Sequence, residues 1–552
     1  MGSLQIAEDG QLRLFGPTSN LHISHVGPFP LLNTNIRSVH WNEDAIYKAA
    51  GVDLHVDEEL EEHLTKLYFA WENPNTPLVD EVAYREGKYR YRKLREITNR
   101  YSEVLNNAIC AVGAALTPRY CPSLPESLID FFATRSKALL EVEMDSPTLS
   151  TVQSFGILSG VEALLTRDAR GWLYSGMAMR LATDLGLHID AMPFTDRGLM
   201  DHDEAQLRSQ IFWGTYIHER RWSLYVGRPE SIDQLDISVR QPSADATGSM
   251  DRKWAPYVDE SPSGTTLDLP GFFDEVVRAT VSLCTKMAPI RKALYNSPQQ
   301  DPPDLSKLYA FATKARNELC EWVSDLPAVL AVDTTNLDCK IPPHVLHLHM
   351  QYHVLRIIIH QPFAYGPSGT DGLSPSDIEQ SHHICHDAAC CITKLLQATR
   401  RHFTLRRVNI HCVHLIFTAM LVHVHNAFLS CDHQIRDTAR RQLEICSQAL
   451  GEIGQAYKNA LRALEVVMTI KTDLLRQERK LLTSGLRMTG QTATMNPMFS
   501  FGRLASTSMM GDIGTFETWP ITMPNDSLEF DFMPEVAGRQ SPSAAGGLTF
   551  SL

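Results

Sequence analysis

Three observations predict an all-α protein, a large multi-helix array followed by a disordered C-terminal tail. Apolar residues recur at spacings of three and four through most of the chain, the period of one helix face. The β-branched alternation of half-buried strands is nearly absent. From about Thr483 the composition turns to Thr, Ser, Gly, Met and Pro, which cannot bury a core.

The chain has 552 residues, 43% of them apolar, enough for an extensive core or several. Its net charge is −13, a poor match for a phosphate backbone, and no basic patch of convincing size offsets it. The eleven cysteines are scattered, as expected of reduced thiols in the cytosol or nucleus. The opening residues MGSLQIAEDGQLRLFG lack the basic and apolar regions of a signal peptide. The best membrane-span candidate, Ile410 to Leu429, contains four histidines and Asn426, so it reads as a buried soluble helix.

In chain order, residues 1–40 read as an irregular segment broken by Gly16-Pro17, Gly27-Pro28 and Pro30. Residues 41–482 read as one helical domain. Helices are expected at Asp57–Trp71, Tyr89–Leu116 (one or a pair), Leu124–Glu143 and Leu149–Leu165. Two more follow between Gly171 and Pro242. In the first, Leu173, Met177, Leu181 and Leu185 form an i+4 apolar stripe, with Arg180 and Asp184 as a minor pair on another face. Gly186 can turn left-handed and fold Leu187 back onto the last turn. In the second, Asp201 and Glu204 approximate a capping box. Leu207, Ile211, Phe212, Trp213, Tyr216, Ile217, Trp222 and Leu224 make its apolar face too wide for a surface helix, until Gly227-Arg228-Pro229 stops it. Residues 243–270, rich in Ser, Gly, Pro and Asp, read as an exposed loop. Helices resume at Phe272–Tyr295, Asp304–Asp325, His344–His360, Asp377–Ala398, Asn409–Leu429, Ile435–Tyr457 and Leu461–Leu482. No fixed-period repeat indicates a solenoid.

The motifs GMAMRLATDLGLH, E-x-x-x-R-x-x-x-F-W, ER and GRP, in this order, resemble the middle homology region of fungal zinc-cluster transcription factors. LHMQYHVLRIIIHQPF and CHDAACCITKLL support the resemblance, which covers roughly residues 16–482. It marks Arg180, Asp184, Gly186, Leu187 and His188, then Glu204, Arg208, Phe212 and Trp213, then Glu219, Arg220, Gly227, Arg228 and Pro229 as family-motif residues. Their expected role is structural: buried and paired charges set helix register, whereas unpaired ones would each cost roughly several kcal/mol. Ser209 and Gln210 stand where relatives often carry basic residues.

The zinc cluster that precedes this region in relatives is not found: no C-x-x-C occurs, and the first cysteine is Cys110. Direct DNA binding by this chain is therefore unsupported, and zinc is expected only if such a cluster precedes these residues. Thirteen of the 22 histidines lie between His344 and His425. His386 and Cys390 have i+4 spacing, but core packing of Cys385, Ala388, Ala389 and Ile392 is the better account, so no metal or cofactor is expected. There is no G-x-S-x-G elbow, H-E-x-x-H, phosphate loop or Asp-Asp pair, so no catalytic residues are assigned.

In the tail, residues 510–540 carry six acids and one base around Phe516, Trp519, Leu528, Phe530 and Phe532. Acidic-aromatic interleaving is the composition of an activation segment that offers its rings to a coactivator. The resemblance implies a nuclear regulator of a metabolic or secondary-metabolite gene set, acting through a DNA-binding partner or a homodimer partner, with no membrane association. The alternatives are a ligand-sensing or inhibitory helical module and, more remotely, an all-α enzyme.

Overall fold

The structure is a computed structural model that describes residues 3–6, 12–15, 42–198, 200–242, 252–258, 268–295, 304–365 and 373–483. The tail residues Phe516, Trp519, Leu528, Phe530 and Phe532 lie outside them. The described chain is helical almost throughout. Helices α1 to α9 span Glu43–Ala49, Glu58–Leu67, Glu81–Tyr89, Glu103–Leu116, Leu128–Glu143, Leu149–Leu164, Asp168–Asp184, Met192–Thr195 and His202–Val226. Helices α10 to α17 span Phe273–Thr285, Met287–Tyr295, Leu305–Ser324, Pro343–Ala364, Pro375–His402, Cys412–Leu429, His433–Ile453 and Lys458–Thr483.

Consecutive helices pack as pairs: α4 on α5, α6 on α7, α13 on α14 and α15 on α16. Two apolar cores result, and α9 and α13 are shared between them. Trp222 of α9 and Leu346, Met350 and Val354 of α13 belong to one core. Phe212, Trp213 and Ile217 of α9 and Val345, Leu348 and Leu355 of α13 belong to the other. A helix serving two cores must be apolar on more than one side, which is the wide pattern read in α9.

Several local expectations need correction. Residues Ser3–Ile6 and Leu12–Phe15 pair as antiparallel strands β1 and β2 within the segment read as irregular. The Tyr89–Leu116 stretch is broken at Arg95, which takes a left-handed φ of 59°. Ser102 then caps α4 by accepting from the Leu105 amide at 3.2 Å. Asp201 sits at the N-cap of α9 without a side-chain cap bond, and the Glu204 carboxylate accepts from Asn99 at 3.1 Å. Glycine ends both helices of the central stretch: Gly186 and Gly227 have φ of 68° and 67°. The Leu187 amide returns to the Ala182 carbonyl at 2.8 Å, and the Arg228 amide to that of Ser223 at 3.0 Å. Pro229 therefore comes after α9 has already stopped.

The segment 243–270 is not simply an exposed loop. Lys253–Trp254 (β3) pairs with Leu269–Pro270 (β4). Trp254 is buried, donates to the Ala70 carbonyl at 2.7 Å, and packs edge-on to Trp71 at 5.4 Å and to Phe403 at 5.4 Å. Its Ser/Gly/Pro-rich surroundings hide this anchor from a compositional reading.

Only the C-terminal half of the apolar stripe read on α7 is buried: Leu185 is in the core and Leu181 packs against it, but the N-terminal half faces outward. Leu173 is 57% exposed and Met177 38% exposed. The buried face carries Gly171, Ser175, Ala178, Met179 and Ala182, mostly small residues. They let α7 approach α6 and α9 closely. A Cβ on Gly171 would lie 2.8 Å from the Trp222 ring and 2.9 Å from the Ser159 carbonyl. Close approach outweighed the larger burial area that the leucine stripe offered.

The crowded histidines are spread over separate helices; His344, His347, His349, His353, His360 and His423 are buried, while His383 is exposed. His347 meets the Cys412 thiol at 3.2 Å, His349 the Leu330 carbonyl at 2.7 Å, and Arg356 donates to His353 at 3.3 Å. His386 Nε2 lies 3.7 Å from the Cys390 sulfur and its Nδ1 meets Asn426 at 3.2 Å. Cys385, Ala388, Ala389 and Ile392 are buried. Among the described residues, no three His, Cys, Asp or Glu side chains converge in a way that would hold a metal.

Two outcomes follow. Gly171→Ala should lower stability by roughly 1–3 kcal/mol through overpacking against Trp222, while Leu173→Gln should change it by less than about 0.5 kcal/mol; urea midpoints of the two variants check this. Burial pulls several imidazoles down, His414 to about 4 and His423 to about 3. Their folded values lie below the unfolded value of 6.5, so the unfolded state binds protons first and stability is lost as pH falls through 6.5. Each such histidine should cost about 1.4 kcal/mol between pH 7.5 and 5.5. The drop in urea-derived stability across that interval should shrink by that amount in His423→Gln, and an unchanged drop would refute a buried neutral His423.

Candidate functional site

Helix α9, exposed at His202, Asp203 and Gln206, carries Arg208, Glu219, Arg220 and Arg221 at buried positions. Its sequence forces each of them to find a partner inside the protein. Arg208 is buried and donates through Nη2 to the Leu185 carbonyl at the end of α7. Glu219 is buried and accepts from the Ser223 hydroxyl at 3.0 Å and the Ser231 amide at 2.8 Å. Arg220 donates to the Ile232 carbonyl at 2.8 Å, lies over the Tyr216 ring, and approaches Glu219 at 3.9 Å. These contacts bind α9 to the chain that follows it. Burial pushes the Glu219 carboxyl up, and the neighbouring Arg220 opposes that shift.

The remaining motif residues divide between core and surface. Phe212 and Trp213 are buried and edge-packed at 5.1 Å, and Trp213 donates to the Arg240 carbonyl at 2.8 Å. The buried His188 uses its backbone carbonyl to accept from the Ser238 and Val239 amides, each at 2.9 Å. Arg228 lies over the Trp172 ring at 4.2 Å. Arg180 is exposed, and Asp184 pairs with Arg13 of β2 instead of Arg180.

Two polar residues escaped the sequence reading. Arg221, adjacent to Arg220, is buried and donates to the Asn75 carbonyl at 2.7 Å and the Thr76 hydroxyl at 3.3 Å. Glu72 accepts from Asn409 at 2.7 Å, and burial pushes its carboxyl up to about 8. It borders an internal cavity of about 20 Å³ beside Tyr68, His218 and Tyr457, room for about one water. No spacing rule marks either residue, because their partners come from segments distant in sequence.

A cleft of about 900 Å³ runs along one face of α9, within the range of small-molecule sites. Trp213, Arg208 and Ser209 of α9 line it, with Phe69 from the turn after α2, Phe273 of α10, and Trp254 of β3. Its walls are mixed in charge. Asp190 pairs with Arg240 at 2.9 Å and Asp274 with Arg252 at 3.4 Å. Asp80 caps α3 at 2.8 Å and Glu81 pairs with Arg85 at 2.8 Å. Among the motif residues the cleft brings together Leu187, Arg208 and Trp213, and leaves Glu219, Arg220 and Arg228 outside.

Residues 65–323 match the model of the fungal specific transcription factor domain. The match begins in α2 and ends in α12, so it contains α9 and the walls of the cleft just described. The nitrogen assimilation transcription factor nit-4 of Neurospora crassa is 27% identical over 488 residues, 85% of this chain and 42% of that protein. The nitrogen assimilation transcription factor nirA of Emericella nidulans is 27% identical over 424 residues, 74% of this chain and 44% of that protein. The acetamidase regulatory protein of the same organism is 26% identical over 423 residues, 75% of this chain and 48% of that protein. The chain thus spans less than half the length of these relatives. The buried charges of α9 and the glycine-stopped helices beside it thus lie within residues 65–323, the part of this chain that is similar to the fungal specific transcription factor domain.

Proposed function

We propose that this chain is a nuclear transcriptional regulator of the fungal zinc-cluster type that controls a metabolic gene set. The observation that carries the reading is the likeness to nit-4, nirA and the acetamidase regulatory protein across most of this chain. Their names tie them to nitrogen assimilation and acetamidase, which favours a metabolic set over a secondary-metabolite one. No cysteine spacing among these 552 residues suits a zinc cluster. The DNA contact is therefore assigned to a partner regulator, including one reached by homodimerisation, or to a zinc cluster outside this sequence, and zinc would belong only to the latter. The acidic-aromatic segment with Phe516, Trp519, Leu528, Phe530 and Phe532 would meet the coactivator.

A second reading is favoured by the 900 Å³ cleft: α9 and its neighbours form a small-molecule sensor within the regulator. Sensing and regulation are compatible, since a ligand seated between α9 and the β3 segment would bias how those elements pack.

Fusing residues 483–552 to a foreign DNA-binding domain should activate a reporter. Replacing Trp519, Phe530 and Phe532 together with Ser should remove most of that activation. A silent fusion would end the activator reading and leave repression or ligand sensing.

A further inference from the structure

Arg208 differs from the other buried arginines of α9. The Nε atoms of Arg220 and Arg221 are sealed in the protein without a hydrogen-bond partner. Arg208 is only 6% exposed, yet none of its nitrogens is both fully buried and unpartnered. Among the described residues its hydrogen bond runs from Nη2 to the Leu185 carbonyl. A guanidinium has five N–H donors, so the others border open space, and the open space beside Arg208 is the cleft.

No carboxylate lies within ion-pair distance of Arg208 among the described residues. Glu204, one turn away, is the acid that acts on it electrostatically, and its carboxylate is engaged by Asn99. The cleft acids Asp80, Glu81, Asp190 and Asp274 are committed to a helix cap or to other arginines. Burial accordingly pulls the Arg208 guanidinium down, whereas Arg291, gripped by Glu230 at 2.8 Å, is pushed up. A buried cation with spare donors and no counter-ion is unfavourable until an anion meets it. Planar guanidinium donors match the oxygens of a carboxylate or sulfonate. Trp213, Phe69 and Phe273 supply apolar wall for the rest of such a molecule.

We propose that the cleft binds a small organic anion with an apolar body, its acidic group paired with Arg208. The proposal rests on the sensor reading of the cleft and adds the ligand class. Arg208 and Trp213 of α9 line the site, so occupancy would be felt at the helix that both cores share.

The full chain is titrated with 8-anilinonaphthalene-1-sulfonate and with its uncharged counterpart N-phenyl-1-naphthylamine, following fluorescence and stoichiometry. The expected result is one saturable sulfonate site at least tenfold tighter than the neutral probe. Arg208→Gln should erase that preference, weakening the sulfonate about tenfold or more and the neutral probe less than twofold, and Arg208→Lys should restore part of it. Gln206→Trp, at the rim of the cleft, should weaken both probes while leaving Arg208 in place. Equal affinity of the two probes, or a sulfonate site indifferent to Arg208→Gln, overturns the anion assignment; a neutral probe that still binds and is blocked by Gln206→Trp then leaves the sensor reading standing. Failure of both probes to bind saturably overturns both. Should Arg208→Gln lose its helical circular dichroism, the wild-type preference and the Gln206→Trp block decide the matter on the same terms.

Discussion

Helix α9, residues His202–Val226, has cores on more than one side and charges within them, and the architecture depends on how those charges are satisfied. The solution is mostly not ion pairing. Arg208, Arg220 and Arg221 each donate to a backbone carbonyl, of Leu185, Ile232 and Asn75 respectively. Glu219 accepts from a hydroxyl and a backbone amide. A carbonyl is a fixed acceptor, so each bond pins α9 to one place on a neighbouring segment: the end of α7, the chain after α9, and the turn before α3. Removing one partner would leave a buried polar group unsatisfied, which is costlier than losing an exposed bond.

The close α6–α7–α9 junction follows from the same constraint. Arg208 reaches the Leu185 carbonyl where α7 has stopped and Gly186 has turned left-handed. Small residues on α7 let the Trp222 ring lie against Gly171. The same placement leaves the cleft along α9 open, walled by α2's following turn, α10 and the β3 segment. Trp254 fixes that last wall through the Ala70 carbonyl and the rings of Trp71 and Phe403.

Much of the fold was legible in the sequence because helix periodicity is local. The long helices, the glycine stops at Gly186 and Gly227, and the burial of α9 all follow from residues within a few turns of one another. The failures have physical causes. The Leu173–Met177 stripe misled because hydrophobicity scores side-chain area, whereas α7 buries its small face to bring backbones together. Trp254 was missed because one anchoring ring is outvoted by its polar neighbours. The capping box read for Asp201 and Glu204 is not closed, and the Glu204 carboxylate is engaged by Asn99, distant in sequence. Of the candidate site, Leu187, Arg208 and Trp213 were singled out as motif residues, but their convergence on a cleft was not visible, since the opposite wall comes from residues near 70, 254 and 273.

By itself the sequence determined the helical class, the family resemblance and the acidic-aromatic composition of the tail, because composition and short-range spacing encode each of these. Tertiary structure alone decided which face of α7 is buried, which carbonyl each α9 arginine meets, that the histidines are dispersed over separate helices, and that Arg208 borders a cleft without a carboxylate partner among the described residues. Those outcomes depend on segments tens to hundreds of residues apart meeting in space, and no local period in the chain records such meetings.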